Sequence, residues 1–281
     1  MRGDMGRTYD TITFLSDFGM VDESVGVVRS VIREIAPQAH VLDLTHGIEA
    51  YDVRGASLAL ARSVSYLCAG VVMAVVDPGV GTARRAIAVE VGDGISVLLG
   101  PDNGILAPAA SICGGAGRAV ELNNPAFQLE APGPTFAGRD VFAPAAAHLA
   151  NGVDLAELGT IIDAGSLLPG LVPLTRDEDG EIHAEVLWVD RFGNCQLNVD
   201  PDEVAAFGDR FKVTITGTHD AGHAGRSRIV QRVVAFDDVP AGALGVHIDA
   251  HGLLAIIMSR TSAAEELEVG AGAGVVLSAL A

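Results

Sequence analysis

The sequence 71-VVMAVVDPGVGTARR-85 places a continuous apolar run directly before an acidic, glycine-containing turn and two arginines. An uninterrupted apolar run is typical of a strand that is covered on both faces, as in the parallel sheets of α/β proteins. We therefore predict a buried strand over 71–76. Asp77 follows that strand, and ligands of open α/β sheets bind beyond the carboxyl ends of the strands.

On both sides of this stretch, strand-like and helix-like patterns alternate. This alternation predicts a layered α/β domain with a mostly parallel sheet over residues 1–170. The other expected elements are strands over 10–15, 40–44, 86–91 and 95–99 and helices over 22–35 and 52–67.

The pattern changes after about residue 170. Residues 171–181 contain the charged stretch TRDEDGE and are predicted to form a linker or a hairpin turn. Short alternating segments follow over 182–281 and predict a small β-barrel or sandwich, with one helix near 262–267. The strands expected there cover 183–189, 196–199, 211–216, 229–236, 244–248 and 275–280.

Composition narrows the functional class. The chain has 281 residues, 49% of them hydrophobic, and a mean hydropathy of +0.37, as expected of a globular protein. Its 36 acidic and 18 basic residues give a formal net charge of −18. This charge disfavours binding to nucleic acid or to anionic membranes and suits a cationic substrate.

The cysteines and the apolar runs indicate the compartment. Cys68, Cys113 and Cys195 are far apart and show no CxxC spacing, so neither a disulfide framework nor a zinc site is expected. The first residues lack the apolar core of a signal peptide, and charge or glycine interrupts every apolar run. We therefore predict a cytoplasmic protein without a membrane span.

Three loops with acidic residues follow predicted strands: 16–19, with Asp22 close behind, 77–84 and 100–104. Their carboxylates could accept hydrogen bonds from ribose hydroxyls, and glycine allows the backbone to approach a ligand. Each loop also has a structural interpretation, because Asp22 could cap a helix and Asp-Pro-Gly or Asp-Asn-Gly often forms a turn. Phosphate-loop and serine-hydrolase signatures are absent from the sequence.

The histidines show no paired metal-binding spacing. His219 and His223 are four residues apart in a glycine-rich stretch, where a solvated loop is favoured over a metal site. His46 and His251 are interpreted as structural. We therefore predict no metal site.

Six motifs taken together resemble one family. They are SDFGxxD from Ser16, LTHGIEAYDV from Leu44, VVDPGVGTxRR from Val75, GPDNGIL from Gly100, TFxGRDVFAPAAA from Thr135 and VDRFGN from Val189. In this order they resemble the S-adenosylmethionine hydroxide adenosyltransferases, relatives of the nucleophilic fluorinase and chlorinase. The resemblance extends from about residue 13 to about residue 266.

The resemblance implies an α/β domain followed by a small C-terminal β-barrel, and homotrimers with the ligand between one subunit's N-terminal domain and its neighbour's C-terminal domain. The implied reaction is displacement of methionine from C5′ of S-adenosylmethionine by water, which gives adenosine and methionine. A sulfonium is already a good leaving group, so the enzyme must mainly align the nucleophile. No metal or further cofactor is implied.

The resemblance also implies the substrate-binding residues. Asp17 would hold the ribose hydroxyls, and Phe192 and Phe236 would cover the base. From the neighbouring subunit, Asn194 would contact the adenine edge and Asp190 the methionine amine. The full set is Asp17, Asp22, Ser24, Tyr51, Thr135, Phe136, Gly138, Asp190, Phe192, Asn194, Phe236 and Arg260, the last in a segment where the sequence diverges from the family.

The implied catalytic positions are Asp77, Arg84 and the position of Ala137. Halogenases of similar frame carry tyrosine at the first position, and a carboxylate there repels halide while it accepts a hydrogen bond from water. Asp77 therefore indicates water chemistry, and Arg84 would keep Asp77 ionised and help to position the water.

Ala137 stands where the family carries a histidine. Either a natural branch dispenses with that histidine, or the histidine has been replaced in this chain; the intact Asp77 and Arg84 favour replacement. Activity is then expected to be impaired, with binding largely retained. Two alternatives stay open: a halogenase that forms 5′-halo-5′-deoxyadenosine, and a non-catalytic protein that binds S-adenosylmethionine or adenosine.

Overall fold

The computed structural model describes residues 7–217 and 225–280. The chain divides into two compact units, Met1–Leu171 and Val172–Ala281. The predicted fold class is confirmed: the first unit is a layered α/β structure and the second contains a closed β-barrel. His219 and His223 lie outside the described residues.

The first unit contains seven strands and four α-helices in its described part. The strands are β1 (Thr11–Ser16), β2 (His40–Thr45), β3 (Val71–Val75), β4 (Ala86–Val91), β5 (Ser96–Pro101), β6 (Ala119–Glu121) and β7 (Thr160–Ile162). The helices are α1 (Ser24–Ile35), α2 (Val53–Ser63), α3 (Ala107–Ile112) and α4 (Ala143–Ala150).

The sheet has the order β2-β1-β3-β5-β4-β6-β7. Strands β2, β1, β3 and β5 are parallel to one another, while β4 is antiparallel to both β5 and β6. Strand β6 therefore points the same way as the four parallel strands, and β7, antiparallel to β6, does not. Hence five of the seven strands described here share one direction.

The apolar run 71–76 is buried on both faces of this sheet. Successive side chains of a strand point to opposite faces, so the run supplies two separate cores. One core includes α1 and α4 and the other includes α2 and α3. The first receives Val71, Met73 and Val75, and the second receives Val72, Ala74 and Val76.

The second unit contains eight strands and one α-helix in its described part. They are β8 (Arg176–Glu178), β9 (Glu181–Val189), β10 (Cys195–Leu197), β11 (Arg210–Gly217), β12 (Arg226–Arg232), β13 (Leu244–Ile248), β14 (Leu254–Ile257), α5 (Ala263–Leu267) and β15 (Gly274–Ala279). The sheet order is β10-β14-β13-β12-β11-β15-β9-β8, and an additional β10–β9 pairing closes seven strands into a barrel with β8 outside the ring.

The structure differs from the predictions at several elements, and strands β6 and β7 and helix α3 were not predicted. The helix expected over 52–67 ends at Ser63 and continues as a 3-10 turn over 64–66. The strand expected over 229–236 ends at Arg232, because the Asp238 carboxylate accepts the N–H of Ala235 and starts a 3-10 turn at Phe236. Strand β14 was not predicted, and β8 lies within the stretch that was predicted as a linker or hairpin turn.

Candidate active site

Three loops with acidic residues lie at the carboxyl ends of adjacent strands. Asp17 follows β1, Asp77 lies just beyond β3 and Asp102 follows β5. Ser16 of β1 is in register with Val75 of β3, and β3 pairs in turn with β5. Parallel neighbours end at the same edge, so the structure brings the three loops to one side of the sheet, where α/β proteins bind ligands.

Asp77 and Arg84 form a buried ion pair. Arg84 Nε donates to Asp77 Oδ1 at 2.9 Å and Arg84 Nη2 donates to Asp77 Oδ2, so the guanidinium binds both carboxylate oxygens. The two side chains are only 5% and 13% exposed, respectively. Arg84 Nη1 donates to the backbone carbonyl of Arg85 at 2.6 Å. The carboxylate is therefore fixed in orientation at the end of β3.

The segment 134–142 borders this ion pair. Gly81, in the turn between Asp77 and Arg84, has φ +79°, and a Cβ at this position would lie 3.5 Å from Pro134 Cγ. At the other end of the segment, the Arg84 guanidinium carbon lies 5.8 Å from the centre of the Phe142 ring. The turn and the ion pair thus pack against both ends of the segment that contains Ala137.

Ala137 directly precedes a π-helical turn, Gly138–Phe142, that leads into α4. Such turns inside helices are frequent at functional sites. Ala137 is half-buried, and its methyl group neither donates nor accepts a hydrogen bond. The structure therefore places a methyl group where the family resemblance implies a histidine.

Phe18, Phe136 and Gly138 form a contact that the sequence did not reveal. The Phe18 and Phe136 rings meet edge to face with centroids 5.8 Å apart. A Cβ at Gly138 would lie 2.9 Å from Phe18 Cζ, so the aromatic ring needs glycine at this position. Because Phe18 and Phe136 are distant in sequence, only the tertiary structure shows that the loop after β1 touches the Ala137 segment.

Arg139 and Asp140 anchor this segment. Arg139 Nε donates to Asp140 Oδ1 at 2.6 Å, and the Arg139 guanidinium carbon lies 4.9 Å from the centre of the Phe136 ring. The backbone N–H of Leu129 donates to the carbonyl of Asp140 at 2.9 Å. Thr135, predicted to bind substrate, is exposed on the same segment.

Asp17 and Tyr51 come together at the ends of β1 and β2. The Tyr51 N–H donates to Asp17 Oδ2 at 2.9 Å. Tyr51 has φ +70°, which is uncommon for a residue other than glycine, and its side chain is 73% exposed. Two predicted substrate-binding residues are therefore in contact, and the aromatic ring of Tyr51 is exposed on the surface.

Asp22 and Ser24 lie at the start of α1. Asp22 is exposed, and the N-cap residue of the helix is Glu23, which makes no side-chain cap. Asp22 therefore does not fill the capping role that its sequence context allowed. Ser24 is the first residue of the helix and is half-buried.

Asp102 and Asn103 have structural roles. Asp102 is buried, accepts a hydrogen bond from Arg85 Nε at 2.9 Å and accepts the N–H of Leu168 at 2.9 Å. Asn103 Nδ2 donates to the carbonyl of Val76 at 2.9 Å. The GPDNG loop therefore stabilises the sheet edge that carries Asp77, and the structural interpretation applies to it.

In the second unit, Asp190 and Asn194 lie in one closed loop. Asp190 Oδ1 accepts the N–H groups of Phe192 at 2.8 Å and Asn194 at 2.9 Å, and Asn194 Nδ2 donates to Asp190 Oδ2 at 2.7 Å. The Asn194 amide therefore keeps its oxygen and one N–H for further partners. Burial, followed by the charge of Asp190, raises the pKa of the neighbouring Cys195 thiol to about 12.

The exposed residues of this unit include Phe192, Phe236 and Arg260. The Phe192 side chain is 71% exposed. Phe236 packs edge to face against His247, with centroids 4.9 Å apart. Arg260 has φ +59° and its Nη2 lies 3.3 Å from Asp237 Oδ1.

Among residues 7–217 and 225–280, no group of three histidine, cysteine or acidic side chains is arranged to hold a metal ion. Within the same ranges, none of the helices has the length and apolar character needed to cross a bilayer.

The protein combines an α/β unit that carries a bidentate carboxylate–guanidinium pair at the end of a central strand with a seven-stranded barrel. Residues 12–159 match the N-terminal domain of the SAM hydroxide adenosyltransferases, and residues 184–276 match their C-terminal domain. The chain therefore belongs to the S-adenosylmethionine hydroxide adenosyltransferase family, which confirms the resemblance found in the motifs.

Named relatives cover almost the whole chain. A protein of Salinispora arenicola named (R)-S-adenosyl-L-methionine hydrolase is 43% identical over 93% of this chain and 95% of its own length. A protein of the same name from Thermus thermophilus is 40% identical over 93% and 96%. A fluorinase of an Actinoplanes species is more distant, at 24% identity over 93% and 95%.

A solved structure shows the same fold. The crystal structure of an uncharacterized conserved protein from Thermotoga maritima matches with a TM-score of 0.84 and 33% sequence identity. The match covers 95% of this chain and 99% of that protein.

Proposed function

We propose that the protein hydrolyses S-adenosylmethionine at C5′. The oxygen of water forms a bond to C5′, the C5′–S bond breaks and its electron pair passes to the methionine sulfur. The products are adenosine, methionine and one proton. The observation that carries this proposal is the buried Asp77–Arg84 pair at the end of β3, in a chain whose relatives at 40–43% identity are named (R)-S-adenosyl-L-methionine hydrolase.

Asp77 accepts a hydrogen bond from the attacking water and directs an oxygen lone pair at C5′. Arg84 fixes the orientation of that carboxylate through its bidentate contact. Because the sulfonium leaves readily, alignment of water and C5′ provides most of the acceleration. Ala137 supplies no second polar group, so we propose that turnover is slow. The reaction needs no metal ion and no further cofactor.

For substrate binding, we assign Asp17 to the ribose hydroxyls, with Tyr51, Asp22 and Ser24 around it. The hydrogen bond between Asp17 and the Tyr51 backbone supports this assignment because it holds the carboxylate at the sheet edge beside Asp77. The net charge of −18 favours the approach of a cationic sulfonium.

We also propose a homotrimer in which Asp190, Phe192 and Asn194 complete a site on a neighbouring subunit. Two exposed aromatic side chains on predicted substrate loops support this arrangement, since Tyr51 and Phe192 are 73% and 71% exposed. Large exposed aromatic rings on site loops are typical of surfaces that receive a ligand or a partner.

Product analysis tests the reaction. The protein is incubated with S-adenosylmethionine in water enriched in oxygen-18, with sodium chloride or sodium acetate. The nucleosides are then separated by chromatography and their masses are measured by mass spectrometry. We expect adenosine with the heavy oxygen in its 5′-hydroxyl, at the same rate in both salts. A chlorinated nucleoside that forms only with chloride would make the protein a halogenase.

A binding protein without catalysis is the second candidate, and Ala137 is the observation that favours it. If calorimetry shows that S-adenosylmethionine binds, while neither the unchanged chain nor Ala137→His forms any nucleoside, the hydrolase proposal is wrong. Adenosine from either protein excludes the binding-only alternative.

Mixing two inactive variants tests the shared site. The Asp77→Asn subunit keeps an intact Asn194, and the Asn194→Ala subunit keeps an intact Asp77. A mixed trimer therefore contains some sites in which both Asp77 and the neighbouring subunit's Asn194 are intact. Random mixing in equal amounts should restore about a quarter of the sites of the unchanged protein. No restored activity after verified subunit exchange, or a monomer in light scattering, contradicts this arrangement.

We further propose a cytoplasmic location, which the three free cysteines support because such thiols persist in reducing compartments. Cell fractionation with an antibody against the protein tests this location.

A further inference from the structure

The loop that follows β1 is held by His46 as well as by its own backbone. Ser16 Oγ and His46 Nδ1 are 2.7 Å apart, and both side chains are buried. The Phe18 N–H donates to Ser16 Oγ at 3.2 Å, and the Gly19 N–H donates to the backbone carbonyl of His46 at 2.8 Å. The residues on either side of Asp17 therefore depend on His46.

The neighbours of the imidazole give this chain of hydrogen bonds a direction. His46 Nε2 lies 3.2 Å from Asp43 Oδ1, although the atoms are not aligned for a full hydrogen bond. With the proton on Nε2, which faces the Asp43 carboxylate, Nδ1 accepts a hydrogen bond from Ser16 Oγ–H. The Ser16 oxygen is then oriented to accept the Phe18 N–H.

The series of hydrogen bonds from His46 ends at Phe18, which lies beside the candidate active site. Phe18 packs against Phe136 and against the backbone of Gly138, next to Ala137. Asp17 lies between Ser16 and Phe18, so its backbone position is set by two hydrogen-bonded neighbours. A change at His46 is thereby transmitted to two predicted substrate-binding loops.

We propose that His46 is a positioning residue for substrate binding: through Ser16 it fixes the loop of residues 17–19 and so the carboxylate of Asp17. This inference rests on the proposed function for the identity of the ligand. The competing explanation is packing alone, since the His46 ring meets Phe14 edge to face with centroids 4.5 Å apart. The two explanations make opposite predictions for two substitutions.

His46→Asn retains a polar atom near the Nδ1 position but loses the ring, whereas His46→Phe retains the ring but loses the nitrogen. Ser16→Ala removes the hydroxyl group that links His46 to the Phe18 N–H. Val28→Ala is the matched control, because Val28 is a fully buried residue of α1 whose side chain makes no hydrogen bond. The measurements are the Kd of S-adenosylmethionine by calorimetry, kcat and KM for adenosine formation, and hydrogen exchange of the Phe18 and Gly19 amides by mass spectrometry.

We expect His46→Phe and Ser16→Ala to raise Kd and KM about tenfold, the effect of one lost hydrogen bond, and to leave kcat within about threefold. Exchange at Phe18 should accelerate in both. His46→Asn should stay within about threefold of the unchanged protein in Kd, and the double variant Ser16→Ala/His46→Phe should be no weaker than either single variant. Val28→Ala should lower the melting temperature and leave KM unchanged.

Retained affinity in His46→Phe together with lost affinity in His46→Asn overturns the proposal in favour of packing. Unchanged exchange at Phe18 in His46→Phe overturns it whatever the activity. If the protein binds S-adenosylmethionine without forming adenosine, the proposed hydrolysis fails, and the Kd values still decide the role of His46. If it does not bind this ligand, the exchange rates decide whether His46 positions the loop.

Discussion

At the scale of single residues, Ala137 stands where the resemblance to the family implies a histidine. The alanine lies half-buried before a π-helical turn, and the ion pair that the turn borders is complete. A functional group missing at this position should affect the chemical step more than binding, because most of the predicted substrate-binding residues lie on other loops.

Ala137→His is therefore expected to raise kcat about a hundredfold to ten-thousandfold, the usual effect of one positioned acid–base group. The Kd of S-adenosylmethionine should stay nearly constant. Adenosine formation at saturating substrate measures the gain. Ala131→His, at an exposed position a few residues earlier, is the control; equal turnover in the two variants would show that residue 137 has no part in the reaction.

Asp77 and Asp102 provide a matched pair of carboxylates. Each is buried and each binds an arginine, Arg84 or Arg85. Both Asp77→Asn and Asp102→Asn should lower the melting temperature because each leaves a guanidinium without its counter-charge. Only Asp77→Asn should lower kcat by about a hundredfold or more, and comparable turnover in both variants would contradict the assigned role of Asp77.

At the scale of elements, the loop from Asp190 to Asn194 is fixed by its contact with the start of α5. Gly193 has φ +81°, and a Cβ there would overlap the Ser262 side chain, which caps α5 by accepting the N–H of Glu265. The loop geometry and the helix cap are therefore coupled through one glycine.

Gly193→Ala tests this coupling against Gly208→Ala. Gly208 has a similar φ of +77°, but a Cβ there meets nothing within 4 Å. Gly208→Ala should cost about 1–3 kcal/mol of unfolding free energy for the backbone alone, because φ +77° with ψ −167° is a conformation almost confined to glycine. Gly193→Ala should cost about 1–3 kcal/mol more, because the side chains must move apart. Urea unfolding measures both, and equal losses would mean that the contact with Ser262 relaxes freely.

Local sequence patterns predicted most of the helices and strands. They failed where a single side chain or a distant contact determines where an element begins or ends. The run 71–76 was predicted because burial on both faces leaves no polar residue in it. The end of β12 depends on one carboxylate, Asp238, which no periodicity encodes.

The candidate site also contains some features that local sequence predicts and others that depend on distant contacts. Asp77 and Arg84 were predicted as a pair from the motif that contains both, and their spacing is local. The contact of Phe18 with Phe136 and the link from Ser16 to His46 join residues that are far apart in sequence. Such contacts follow from strand order, and no local pattern in the sequence predicts that β1 lies between β2 and β3.

At the scale of the whole molecule, the net charge of −18 should affect the encounter with substrate. S-adenosylmethionine carries a sulfonium and an amine against one carboxylate, so it is attracted to an acidic surface. Raising the ionic strength from about 20 to about 500 mM should increase KM several-fold, since screening acts on approach, and should leave kcat unchanged. Steady-state rates in sodium chloride and in sodium acetate measure this, and a KM that is insensitive to both salts would exclude steering.

The closure of the barrel bears on how the protein behaves when it is concentrated. Unpaired strand edges can recruit strands from other molecules and start fibrous aggregates. Strand β10 pairs with both β9 and β14, so the ring leaves no edge of its own open to recruitment. Strand β8, which extends the sheet outside the ring, consists of Arg176, Asp177 and Glu178, all exposed. A short edge of exposed charged residues resists the addition of a further strand, so crowded copies of this unit can lie side by side without merging into a continuous sheet.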